Sequence, residues 1–118
     1  MTQTTTALTR EQALALKSGN NLDLVVAIEV MGHEPGEFRD DWIKLGPKFE
    51  GCPKRYSSDM SKAWEVEKKI KELRLQAKYC EALKRVVIGT GEYVGMFDFI
   101  HATPAQRCKA ALLAVLDL

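Results

Sequence analysis

The sequence lacks the features that mark several large classes of protein. Its three cysteines are widely separated, no Cys-x-x-Cys pair occurs, and only two histidines are present. These numbers do not give the ligand spacing of a structural zinc site. No run approaches the ~20 apolar residues that span a bilayer, and the threonine-rich start lacks the basic and apolar segments of a signal peptide. We therefore expect a soluble cytoplasmic protein with reduced thiols, without metal or membrane contact.

The chain also lacks an excess of either charge. Seventeen basic residues face sixteen acidic ones, for a formal net charge of +1, so no global field favours nucleic acid or acidic substrates. The 46% hydrophobic and 28% charged residues are typical of globular proteins. A chain of 118 residues can bury about two-thirds of its unfolded surface. We predict one domain over residues 9–118 after a mobile tail at 1–8.

Helix signals are clear in the first third of the chain. Thr9 and Gln12 have the spacing of a capping box and predict a short first helix. Asn21 is a suitable N-cap for a second helix over residues 22–31, which is apolar almost all round and therefore belongs in the interior. Gly32 stands where the left-handed residue that ends a helix is expected.

Two further helices are predicted downstream. Tyr56-Ser57-Ser58-Asp59 offers competing caps for an amphipathic helix with Ala63, Trp64 and Ile70 on its packed face. Thr103-Pro104 is a helix start with threonine as cap and proline in the first position. The predicted buried stripe of this last helix consists of Cys108, Ala111, Leu112, Val115 and Leu116.

The segments between these helices are less regular. Residues 33–55 hold three prolines and predict a long irregular loop, with short strand pairing around Trp42-Ile43 and Phe49. From Leu75 to Tyr79 apolar and polar residues alternate as in a strand, yet the spacing also fits a helix, and periodicity leaves both open. Residues 85–100 are β-branched or aromatic around Gly89-Thr90-Gly91, which predicts a hairpin in a small antiparallel meander.

Three segments together resemble a known family. They are LDLVVAIEVMG at 22–32, YSSDMSKAWEV at 56–66 and HATPAQRCKAALL at 101–113. Their order and content are similar to the phage ABA sandwich domain family, small proteins encoded by phages and prophages. The resemblance implies an α+β fold in α–β–α order with a small antiparallel sheet, and it favours strands for residues 75–102. It implies no established activity, so it supplies no catalytic residue.

The loop supports the first functional hypothesis. A phage or prophage accessory protein, acting without catalysis in the cytoplasm of the bacterial host, would bind a host or phage protein complex. A stoichiometric inhibitor of a host defence complex, such as an anti-CRISPR, is one form. Aromatic residues among charged ones are the composition of interface anchors, although Trp42 and Phe49 would equally serve to cover a sheet edge or the core. The predicted partner-binding residues are Glu37, Asp40, Asp41, Trp42 and Phe49.

The alternative hypothesis is a nucleic-acid-binding accessory factor. Basic residues concentrate in the middle of the chain, and together with aromatic residues on a sheet they would form a stacking platform. Acidic residues interrupt the patch, which is equally the composition of a solvated surface. The residues assigned to this alternative are Lys54, Arg55, Lys68, Lys69, Lys78, Lys84 and Arg85.

Catalysis ranks last, and we predict no enzyme and no cofactor. His33 and Glu34, with acids nearby, offer a general acid–base pair or a divalent-metal site only if they converge. Cys108 lies near a helix start, but its place on the apolar stripe predicts a packing cysteine rather than a nucleophile. The glycine pattern at residues 89–95 lacks the Lys-Ser/Thr of a phosphate loop and predicts a turn.

Overall fold

The described part of the protein is mainly helical, with one two-stranded sheet between its second and third helices. The computed structural model describes residues 8–88 and 96–118, so residues 1–7 of the predicted tail lie outside it. In chain order the described elements are α1 Arg10–Ala15, α2 Asn20–Glu29, β1 Ile43–Gly46, β2 Phe49–Gly51, α3 Met60–Glu72, α4 Gln76–Ile88, α5 Met96–Ile100 and α6 Pro104–Val115. This order confirms the predicted α+β class and α–β–α arrangement. No helix in the described ranges is long and apolar enough to cross a membrane.

Helix α6 is the centre of the packing, since α1, α2, α3 and α4 all pack against it. The predicted threonine cap is present and is part of a capping box: the Thr103 side chain accepts from the Gln106 amide at 3.1 Å, and the Gln106 side chain accepts from the Thr103 amide at 2.8 Å. Cys108 is fully buried, which confirms its predicted packing position, and burial raises the pKa of its thiol to about 12. Val115 and Leu116, also predicted in the buried stripe, are only partly buried, because they lie at the end of the helix.

The first two helices follow their caps, with one correction. Thr9 and Gln12 form the predicted capping box of α1. Helix α2 begins at Asn20 with Gly19 as its cap, so the predicted cap at Asn21 is wrong. The reason is tertiary, because the Gly19 amide donates to Ser57 Oγ at 2.9 Å and this bond fixes where the chain turns into the helix. Gly32 has the expected left-handed conformation, with φ at 81°.

The strand that the resemblance favours for residues 75–79 is absent. Of the two structures that periodicity leaves open the helix forms, as a separate element and not as an extension of α3. Helix α3 ends in a Schellman motif: Arg74 has φ at 60°, and the Leu75 amide donates to the Ile70 carbonyl at 3.1 Å. Helix α4 then starts at Gln76. Its buried residues recur at helical spacing, which overrides the short alternation: Tyr79, Ala82, Leu83, Val86 and Val87.

The predicted hairpin at residues 85–100 is also wrong in its described part. Residues 85–88 continue α4, and Met96–Ile100 form the short helix α5. Arg107 stabilises the end of α5, because its guanidinium donates to the carbonyls of Ile100 at 2.6 Å and Ala102 at 2.9 Å. These bonds satisfy carbonyls that a helix end leaves open. The predicted turn at 89–91 and the glycine pattern at 89–95 lie outside the described residues.

The sheet lies inside the predicted loop 33–55, where short strand pairing was expected. Strands β1 and β2 are antiparallel, with Ile43 opposite Gly51, Lys44 opposite Glu50, and an irregularity between Lys44 and Gly46. An isolated bridge from Pro35 to Ile43 adds the preceding segment to the outer side of β1. Ile43 is buried and anchors this ribbon to the core.

Candidate functional site

A carboxylate clamps the turn that precedes the sheet. Glu50, on β2, accepts hydrogen bonds from the backbone amides of Glu37 at 2.8 Å and Phe38 at 3.0 Å. The Gly36 amide donates to the Trp42 carbonyl at 2.8 Å. A Cβ at Gly36 would lie 2.6 Å from Glu50 Oε1 and 2.9 Å from the Trp42 carbonyl oxygen, so only glycine permits this approach. The backbone at residues 36–38 is therefore held against the strands.

Two phenylalanines are exposed here, Phe38 on the clamped backbone and Phe49 on β2. Phe38 is 78% exposed and Phe49 is 71% exposed. Both line a shallow cavity of about 280 Å³, together with Glu37, Lys44 and Glu50. We call the surface formed by these five residues the hairpin face. Exposed aromatic rings on a constrained backbone are typical of interface anchors, since little conformational entropy is left to lose on binding.

Ion pairs surround the two rings. Lys44 Nζ lies 2.7 Å from Glu37 Oε2 and 3.4 Å from Glu34 Oε2. The hydrogen bond and charge of Lys44 lower the pKa of the Glu37 carboxyl. These side chains are largely exposed, so the pairs contribute little to stability. Their consequence is a rim of fixed alternating charge beside the rings.

A second ion pair orders the turn between Phe38 and β1. Arg39 donates to both carboxylate oxygens of Asp41, at 2.9 and 3.1 Å. The same guanidinium lies 5.1 Å from the centroid of the Trp42 ring, within cation–π distance. The hydrogen bond from Arg39 lowers the pKa of Asp41. Trp42 is thus half-buried beneath this pair.

The predicted partner-binding residues form two neighbouring groups. Glu37 and Phe49 meet on the hairpin face, whereas Asp41 and Trp42 are joined through Arg39 on the adjacent turn. Asp40 is exposed on that turn. The roles of Lys44 and Glu50 were not predicted, since no signal in the sequence links Glu50 to amides 12 or 13 residues earlier.

A buried polar bond explains one of the quoted sequence segments. The Ser57 amide and hydroxyl both donate to Asp23 Oδ1, at 2.8 and 2.7 Å. Asp23 and Ser57 are buried, and Asp59 of the same segment caps α3 by accepting from the Ser61 amide at 2.9 Å. Tyr56 is buried too, and burial raises its pKa to about 12. These residues tie α2 to the start of α3 and serve the fold.

A second buried network joins α3, α4 and α6. Arg107 is only 6% exposed, and its Nη1 lies 2.6 Å from Glu67 Oε2. Tyr79 donates its hydroxyl proton to the same carboxylate, and burial is the main cause that raises the pKa of Tyr79. The Arg107 guanidinium also lies 5.1 Å from the Trp64 ring centroid. Trp64, predicted on the packed face of α3, is half exposed.

These contacts join the three segments that resemble the phage ABA sandwich domain family. A comparison with protein families tests this resemblance. The model of the phage ABA sandwich domain matches residues 24–112. The chain belongs to the phage ABA sandwich domain family. The matched range runs from α2 through the sheet to α6. No curated protein and no solved structure matches the chain. The family membership confirms the suspected resemblance and makes this a phage-associated protein.

The basic residues of the nucleic-acid alternative are spread over this ABA sandwich domain. Arg55 lines a separate cavity next to Asp23, and Lys68, Lys84 and Arg85 are exposed on α3 and α4. The other three are paired with acids: Lys54 with Glu65 at 2.9 Å, Lys69 with Glu72 at 4.0 Å, and Lys78 with Asp117 at 3.1 Å.

The residues considered for catalysis have other contacts. Glu34 and Glu37, two of the acids considered together with His33, both pair with Lys44. Among residues 8–88 and 96–118, no three histidine, cysteine or acidic side chains converge on a metal-sized site. Within the same ranges the three cysteines are free thiols, exposed at Cys52 and Cys80 and buried at Cys108.

Proposed function

We propose that this phage protein acts without catalysis, by docking its hairpin face on a host or phage protein complex. The observation that carries the proposal is the pair Phe38 and Phe49, which are 78% and 71% exposed. Phe38 lies on the backbone that Glu50 clamps, and Phe49 lies next to Glu50 on β2. Removing such rings from water on binding is favourable by about 25 cal/mol per Å².

The charges beside the rings support a protein as the partner. Glu37 and Asp41 are already paired, with Lys44 and Arg39, so docking does not leave them as isolated buried charges. Asp40 is exposed on the turn between Phe38 and β1. An aromatic centre with a charged rim is the usual anatomy of a protein interface, and acids at the rim complement a basic groove.

The form we propose is stoichiometric inhibition of a host defence complex, as an anti-CRISPR does. The phage family of the domain and the small size of the chain support this form. An inhibitor of this kind needs one tight surface and no active site, and the acids near Trp42 would occupy a groove that otherwise takes phosphates.

A tagged pull-down from lysate of a bacterial host, run with and without nuclease, tests the proposal. We expect one protein complex to be retained in stoichiometric amount after nuclease treatment, and to be lost with the double variant Phe38→Ser/Phe49→Ser. Phe97→Ser is the matched control, because Phe97 is also 71% exposed but lies on α5. Retention by the double variant, or loss in the control alone, contradicts the proposed face.

Nucleic acid as the only captured partner would contradict the proposal and favour the alternative. Phosphate contacts release counterions, so binding through Lys68, Lys84 and Arg85 would weaken steeply between low and high salt. A titration of labelled duplex and single-stranded DNA at several salt concentrations separates the two cases. We expect no binding that survives physiological salt.

A further inference from the structure

A second apolar surface lies away from the hairpin face, where α3, α4 and α5 meet. A groove of about 410 Å³ opens there, lined by Trp64 of α3 and by Phe99 and Ile100 of α5. Tyr79 and Leu83 of α4 complete its apolar walls. We call this the α5 groove. Its volume lies within the range of ligand-binding clefts, and its lining is mostly apolar.

Protruding side chains stand on the same short helix. Helix α5 contains no buried residue; Met96 is 73% exposed and Phe97 is 71% exposed. The ring of Phe97 stacks on His101, with centroids 4.2 Å apart and planes 22° apart. A concave apolar surface and a convex one are therefore adjacent on one side of the molecule.

The buried polar groups under the groove are already satisfied, and its other polar side chains, Lys71 and Gln76, are exposed. Arg107 donates to Glu67 and to the carbonyls of Ile100 and Ala102, and Tyr79 donates to Glu67. A protein surface that covers these groups leaves their hydrogen bonds to one another intact and leaves no charge unpaired. The groove thus favours an apolar protein surface over a ligand that depends on specific polar contacts.

We propose that the α5 groove is where two copies of this chain pair, with Met96 and Phe97 of each copy entering the groove of the other. Two-fold symmetry requires that a surface complement itself, and the groove and the protruding side chains on α5 meet this requirement. A net charge of +1 leaves little repulsion between copies.

The exposed apolar area sets the expected strength. Trp64, Met96, Phe97 and Ile100 are each more than half exposed, which amounts to roughly 450 Å² of side-chain surface. A standard interface buries about 800 Å² on each partner, so the paired surface needs the rim of α3 and α4 as well. We therefore expect a reversible dimer with a Kd of about 10–100 µM.

Sedimentation velocity over a concentration series tests the pairing. Met96→Ser and Phe97→Ser change exposed side chains, so the fold is expected to persist, and a far-UV circular dichroism spectrum checks it. We expect each to raise the dimer Kd about 30-fold. Phe49→Ser is the control, since Phe49 is equally exposed on the hairpin face; its Kd should equal that of the wild type.

The thiols report which surface is covered. Cys80 lines the α5 groove, whereas Cys52 is exposed in a different cavity beside Arg55. In a dimer the rate of maleimide labelling should fall at Cys80 as the protein concentration rises and stay constant at Cys52. A wild type that is monomeric at about 500 µM, well above the expected Kd, overturns the proposal. Protection at Cys52 instead, or an unchanged Kd in both α5 variants, also overturns it.

The proposed dimer and the proposed function of the hairpin face can be refuted independently of each other. Loss of partner capture in the hairpin variants with an intact dimer leaves this proposal standing. A monomeric wild type that still captures its partner through Phe38 and Phe49 overturns this proposal and leaves the proposed function standing.

Discussion

Replacing Ser57 by alanine tests whether the Tyr-Ser-Ser-Asp segment serves the fold. The substitution removes the hydroxyl that donates to Asp23 Oδ1 at 2.7 Å and accepts from the Gly19 amide at 2.9 Å. The first bond involves a buried carboxylate and contributes about 1.5–3 kcal/mol, and the second, between neutral groups, about 0.5–1.5 kcal/mol. The Ser57 amide keeps its own bond to Asp23 at 2.8 Å. The free energy of unfolding should fall by about 2–4 kcal/mol.

Urea denaturation followed by circular dichroism measures this loss. A domain of this size has a free energy of unfolding of about 5–15 kcal/mol and an m-value of about 1–1.5 kcal/mol per M, so the midpoint should fall by roughly 2 M. Ser58→Ala is the matched control in the same segment, because Ser58 is exposed; its midpoint should move by less than about 0.5 M.

Two results would refute the reasoning about Ser57. One is a Ser57→Ala midpoint within error of the wild type. The other is an equal loss at Ser57 and Ser58, which would assign the effect to the helix start in general and not to the buried bond with Asp23. A native-like stability combined with loss of partner binding would make the segment functional.

Three further predictions concern single positions. Gly36→Ala, whose Cβ would lie 2.9 Å from the Trp42 carbonyl oxygen, should weaken partner capture and lower the melting temperature; unchanged values would contradict the clamp. Arg74→Gly relieves a left-handed arginine with φ at 60° and should add about 0.5–1 kcal/mol, measured as a rise of roughly 3 °C. Burial raises the pKa of Cys108 from 9.0 to about 12. The thiol's contribution to stability is therefore complete below pH 9 and is lost as the pH rises towards 12, at up to ~1.4 kcal/mol per pH unit. Urea titrations at several pH values measure the free energy of unfolding. Cys108→Ala should reduce its decline between pH 9 and pH 12, and a decline equal to that of the wild type would contradict the burial of the thiol.

The elements with local signals were predictable from the sequence. The capping boxes at Thr9 and Thr103 need only residues three positions apart, and both are present. Gly32 takes the left-handed conformation that a helix end requires. These signals depend on the backbone's own hydrogen bonds, which do not need knowledge of distant residues.

The errors occurred where distant residues decide the local structure. Three of the five residues of helix α5, Phe97, Phe99 and Ile100, favour strands. The Arg107 guanidinium that binds the last carbonyl of α5 comes from α6. Helix α4 was ambiguous because five alternating residues also fit a helix; only the full spacing of its buried side chains distinguishes the two. The start of α2 depends on Ser57, 38 residues later.

The candidate site was predictable in composition and not in geometry. Aromatic and charged residues in loop 33–55 indicated an interface, and Glu37 and Phe49 do share one face. The sequence left open whether Trp42 and Phe49 are exposed or cover a sheet edge or the core. Trp42 is half-buried under Arg39, whereas Phe49 is exposed. Which side a three-residue strand presents depends on what packs behind it, and the sequence alone does not carry that information.

The hairpin face is tested most directly by the affinity of the purified chain for its captured partner, measured by calorimetric titration. The account predicts that Phe38→Ser/Phe49→Ser raises the Kd about 100-fold or more, since two anchor residues are removed. The matched control Phe97→Ser should keep the wild-type Kd within about threefold. A double variant that binds as tightly as the wild type would contradict the account.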